Sequence, residues 1–123
     1  MRMWGVLGVV TFLLITSLAQ DQHSVRMNGS DLAASCEHFR KCERRSTCTK
    51  DDLPASGVCS GYIYGVADVA IGAVCVPPDT KDEDVVKATI EWMDENPSLL
   101  NRSADIVVLS ALKTSFPCSV PKQ

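Results

Sequence analysis

The residues with chemical potential in this chain are six cysteines, two histidines and a few carboxylates set among glycines. Cys36, His38, Cys42 and Cys48 crowd one stretch and are ligand types for zinc, but no C-x2-C pair occurs among them. No C-x-x-C-H is present for covalent haem attachment. A Cys–His nucleophile pair needs a free thiolate, and His38, alone beside Glu37, reads as an exposed helix residue rather than a catalytic base. Gly61, Gly65, Asp68 and Gly72 recur at i, i+4, i+7 and i+11, so on a helix they share one stripe. A carboxylate in that stripe could hold a ligand. The favoured reading is an acid buried against a helix end or a tyrosine hydroxyl, because burial demands such partners. No base, nucleophile and orienting group come together, so neither an enzyme nor a metal nor an organic cofactor is expected.

What the cysteines do depends on the compartment. Residues 1–19 read as a secretory signal: Arg2 is the positive start, Trp4 to Ile15 the apolar centre, and Ser17 and Ala19 the small residues before the cut. Cleavage is expected between Ala19 and Gln20, with no membrane attachment afterwards. The competing reading is an uncleaved anchor, which the polar Thr16-Ser17 end disfavours. Removal leaves 104 of the 123 residues, enough for one domain. A chain of that length buries only about 65% of its unfolded surface and needs reinforcement. Six cysteines in an oxidising compartment supply it as disulfides. The net charge of −3 becomes −4 without Arg2, which argues against nucleic-acid binding, since that requires a positive field.

Hydrophobic periodicity outlines an all-α, disulfide-stapled four-helix domain. Residues 20–28 form a polar, flexible arm, residues 29–118 the helical domain, and residues 119–123 a short tail. The first helix is expected from Ser30 as N-cap to about Arg44, with Leu32, Cys36 and Phe39 or Arg40 inward. A loop covers Arg45–Ser56. The second helix is expected from Ala55 or Ser56 to Val74, apolar around most of its girth and therefore central. Its three interior glycines cost about 1 kcal/mol each, which close approach of a neighbouring backbone would offset. Thr80-Lys81-Asp82-Glu83 has the form of a capping box opening a third helix that Asn96-Pro97 stops. A fourth follows Ser103, with Ile106, Leu109, Leu112 or Lys113, and Phe116 inward. On this bundle Cys36 and Cys59 lie equally far from the first interhelical loop and should pair. Cys75 and Cys118 follow two helices that end at one pole, and Cys42 with Cys48 would clip the first helix to its loop.

The run Cys59-Ser60-Gly61-Tyr62-Ile63-Tyr64-Gly65-Val66-Ala67-Asp68, followed by Cys75-Val76-Pro77, Asn96-Pro97 and Phe116-Pro117-Cys118, resembles the Rap/Tai immunity family. Gly29-Ser30-Asp31-Leu32 and Cys36 resemble its opening helix. Cys42 and Cys48 are additions to the common pattern, and Ser103 and Val69 depart from it. The resemblance implies an all-α periplasmic protein, often a homodimer, that binds a peptidoglycan amidase toxin delivered by type VI secretion and blocks its active cleft. It marks Gly61, Tyr62, Gly65, Asp68, Phe116 and Pro117 as motif residues. A periplasmic stress chaperone or envelope interaction protein of the same fold is the alternative.

Partner-binding candidates are the acidic third helix, with Asp82, Asp84, Glu91, Asp94 and Glu95, and the loops Lys50–Ser56 and Pro97–Arg102, including Leu99. Carboxylates there would steer a basic hydrolase. Arg40, Lys41, Arg44, Arg45 and Lys50 form a basic patch at the first turn of the bundle.

Overall fold

Capping decides where the first helix begins. In the computed structural model, which describes residues 26–119, α1 runs Gly29–Glu43 with Asn28, not Ser30, as its N-cap. The Asn28 side chain accepts from the Asp31 N–H at 2.9 Å, and the Asp31 carboxylate accepts from the Asn28 N–H at 3.3 Å. This reciprocal box satisfies two otherwise unpaired donors. The expected signal cleavage and most of the N-terminal arm lie outside the described residues. Met27 and Asn28 belong to the folded unit: the Met27 carbonyl accepts from the Ala104 N–H at 2.9 Å, and Asn28 bridges to Ser103.

The second helix, α2 (Asp52–Val69), starts and stops earlier than periodicity suggests. Pro54 does not delay it, because the first turn of a helix has no use for a proline N–H. Gly72, read from the sequence as part of the glycine stripe, adopts φ +87° and turns the chain after Ala70. The N–H groups of Ala73 and Val74 both close on the Ala70 carbonyl, at 2.9 and 3.0 Å. The glycine argument also needs correction. Gly57, Gly61 and Gly65 are exposed, and a Cβ at any of them would meet nothing within 4 Å. Nor is α2 sheathed on all sides: Leu53 and Val58 are exposed on it, as are Val69 and Ile71 at its end. Three neighbouring helices cannot cover its whole girth.

The third helix, α3 (Asp82–Glu95), opens after Lys81 with no side-chain cap, so Thr80 and Glu83 do not form the expected box. The Lys81 carbonyl takes the first helical bonds, which leaves Glu83 one residue short of the capping position. Thr89, wholly buried, satisfies its hydroxyl on the Val85 carbonyl at 2.9 Å. A 3₁₀ turn, Pro97–Leu99, leads to α4 (Ala104–Ser115). The inward face of α4 is Ala104, Val107, Val108, Ala111 and Leu112. Ile106 is 47% exposed and Lys113 faces solvent, while Leu109 and Phe116 are half-buried, so the expected face is rotated by one residue. The pair Val107-Val108 gives two overlapping helical stripes, and packing selects the one that starts at Ala104.

Leu32, Cys36, Cys59, Ile63, Val86, Met93, Val108 and Leu112 meet in one core to which all four helices contribute. The bridges join Cys36 to Cys59, Cys42 to Cys48 and Cys75 to Cys118, with Cα separations of 4.9, 4.3 and 4.8 Å. The fold is thus all-α and disulfide-stapled. Among the described residues no helix is long and apolar enough to cross a membrane.

Two stability predictions follow from this packing. A Cβ on buried Gly29 would lie 2.9 Å from the Leu100 backbone and from Val107 Cγ2, so Gly29→Ala should cost about 1–3 kcal/mol in urea unfolding. Cys75→Ser with Cys118→Ser opens a loop of sequence separation 43 and should cost about 4 kcal/mol.

Candidate partner-binding surface

Asp52, the first residue of α2, is only 5% exposed and is surrounded by donors. His38 Nδ1 on α1 lies 2.6 Å from its Oδ1, and the Thr49 N–H and hydroxyl donate to Oδ2 at 2.9 and 2.8 Å. Lys41 Nζ stands 3.6 Å from Oδ1. The Thr49 N–H first, and His38 second, hold this carboxyl well below the usual carboxylate range. His38 is therefore not the solitary exposed residue the sequence suggested but a tie between two helices. Asp52 orients the imidazole as an acid orients a catalytic base. The Thr49 hydroxyl, however, is spent on Asp52, and among the described residues no nucleophile hydrogen-bonds to the ring. Sequence reasoning placed Asp52 in a loop. The Thr49-x-x-Asp52 pattern was the available signal for a helix start.

Of the basic patch, Arg40 and Lys41 are matched within the protein, while Arg44, Arg45 and Lys50 make no ion pair among the described residues. Arg40 pairs with Glu37 at 2.7 Å and with Asp94 on α3, Lys41 with Asp52, and Lys87 with Glu43 at 2.9 Å. Asp94 thus serves the α1–α3 contact and is not a free acid. Asp82, Asp84, Glu91 and Glu95 are exposed and make no ion pair among the described residues. The two loops are more ordered than expected. Residues 52–56 already belong to α2. The segment containing half-buried Leu99 is pinned where the Ser30 and Gly29 N–H groups donate to the Leu100 and Arg102 carbonyls, each at 2.9 Å.

The motif residues divide between scaffold and surface. Tyr62 is half-buried; burial pushes its hydroxyl above the ordinary value, and the charge of Asp105 adds to this. Asp105, in the first turn of α4, is itself held low, chiefly by the Ser103 hydroxyl. The Phe116 carbonyl accepts the Cys75 N–H at 2.9 Å, and Pro117 carries the chain on to Cys118. Gly61 and Gly65 lie open on the outer face of α2. Asp68 is exposed, against the expectation of a buried acid with a hydrogen-bond partner. It lines an open cleft of about 550 Å³ between the end of α2 and the start of α3. Cys36, Cys42 and Cys48 are committed to disulfides, which removes the thiolates that a zinc site with His38 would use.

The Asp52 cluster makes a pH-dependent prediction. A carboxyl held low in the folded state stabilises the fold above its unfolded value, and that contribution disappears as pH falls through the folded value. Asp52→Asn should therefore lower the urea midpoint at pH 7. The gap from the wild type should narrow below about pH 4, the ordinary aspartate range.

No curated protein matches the chain. A family does, over residues 28–118, a span that takes in the Asn28 cap, all four helices and all three disulfides. Its members are generally non-enzymatic and counter an effector by binding it. By that match the chain belongs to the family of Rap1a immunity proteins.

Proposed function

We propose that this protein acts in the periplasm, after loss of its leader, as the immunity partner of a type VI-delivered peptidoglycan amidase, binding the enzyme and covering its active cleft without catalysis. Family membership carries this reading. Two physical features support it. A domain closed by three disulfides loses little conformational entropy on binding and suits a compartment without thiol reductants. Asp84, Glu91 and Glu95 are exposed on α3 and make no ion pair among the described residues. Free surface acids accelerate encounter with a basic hydrolase.

Amidase activity on isolated peptidoglycan tests the proposal. One equivalent of the oxidised protein should abolish hydrolysis by a type VI amidase of the same cell. The triple variant Asp84→Lys, Glu91→Lys, Glu95→Lys should inhibit about tenfold or more weakly, mostly through a slower association rate. Unchanged inhibition by the triple variant would remove α3 as the contact face. Failure to inhibit any such amidase would remove the function.

A further inference from the structure

The cleft at the end of α2 combines apolar walls with charge that no neighbouring base matches. Its floor is made by Val74 and Val85, 8% and 6% exposed, and its sides by half-buried Tyr64 and Val76. Exposed Asp68 and Asp82 stand at its lip, one from each helix. Neither carboxylate is in a salt bridge or hydrogen bond among the described residues, although Arg40, Lys41 and Lys87 elsewhere are all paired. Burial raises the Tyr64 hydroxyl above its ordinary value, and the charges of Asp82 and Glu83 raise it further. The aromatic ring therefore sits in a negative field.

An apolar trough ended by two carboxylates fits a side chain that is aliphatic along its stem and cationic at its tip. Lysine and arginine both have that form. Arginine fits better, because its planar, weakly hydrated guanidinium can engage two carboxylates and lie against an aromatic face. We infer that this cleft is a receptor for an arginine side chain presented by the protein partner, with Asp68 and Asp82 clamping the guanidinium and Val74, Val76 and Val85 covering its stem. The assignment deepens the immunity reading, since it names what the partner must present. It also gives a task to Asp68, which makes no hydrogen bond or ion pair among the described residues.

Backbone amide spectra of the oxidised protein, titrated with Nα-acetyl-arginine methylamide, test the cleft without any toxin. The expected result is saturable shifts clustered at residues 64–68, 74–76 and 82–85. They should weaken about tenfold or more in Asp68→Asn/Asp82→Asn. Asp51→Asn, at the far end of α2, should leave them unchanged. Equal shifts with the norleucine analogue would show a merely apolar trough, and equal shifts with the lysine analogue would overturn the choice of arginine. Shifts scattered over α3, or full binding by the double variant, would also overturn it. The amidase assay separates the two readings. If an amidase is inhibited while the cleft ignores arginine, this inference falls and the immunity function stands. If arginine binds while no amidase is inhibited, the function falls and the cleft stands.

Discussion

The contact between α1 and α2 is the constraint on which the rest of the domain depends. Cys36 and Cys59, at 1% and 0% exposure, are bonded in the middle of it, with Leu32 and Ile63 packed into the same core. The bridge fixes these two helices side by side, and α3 and α4 pack onto the same core. A four-helix protein of this length has too little interior to rely on burial alone, so covalent closure substitutes for area. Once α1 and α2 are fixed, their free ends need anchoring. The His38–Asp52 tie secures the loop end, and the backbone bonds from Gly29 and Ser30 to the segment before α4 secure the other.

Charge follows the same economy. Each structural ion pair uses a base: Arg40 holds α1 against α3, Lys41 supports Asp52, and Lys87 reaches Glu43. These pairs take up four acids, Glu37, Glu43, Asp52 and Asp94, and Asp82, Asp84, Glu91, Glu95 and Asp68 lie outside them. The exposed carboxylates on α3 and around the α2–α3 cleft take no part in the ion pairs that hold the described helices together. In low-dielectric contact with a partner they would act more strongly than in water.

Much of this was legible in the residues. Heptad-like spacing located the helices, and cysteine positions relative to helix ends gave a pairing that the fold accommodates, because a helix turns each residue by a fixed angle. Ser30, Thr80 and Glu83 all have the right chemistry for caps, but Asn28 caps α1 through its reciprocal box with Asp31, and Lys81 precedes α3 with no side-chain cap. Gly72 was grouped with the helical glycines by spacing alone, whereas its backbone conformation makes it a turn. On α4 two apolar stripes were nearly equivalent, and only the contour of the facing helices could choose between them.

The same division applies to the binding surface. The sequence by itself determined the class of molecule: an acidic, six-cysteine, helical domain whose motif spacing matches a family over most of its length. Composition and short-range periodicity are local properties, and they survive translation into structure. Only the tertiary structure decided which acids are free. Asp52 and Asp94 look like Asp68 and Asp82 in the sequence, yet Asp52 is held by Thr49 and by His38, 14 residues away, and Asp94 by Arg40, 54 residues away, while Asp68 and Asp82 line one cleft. The environment of a carboxylate depends on what folding brings to within a few ångströms of it, and sequence distance carries no record of that.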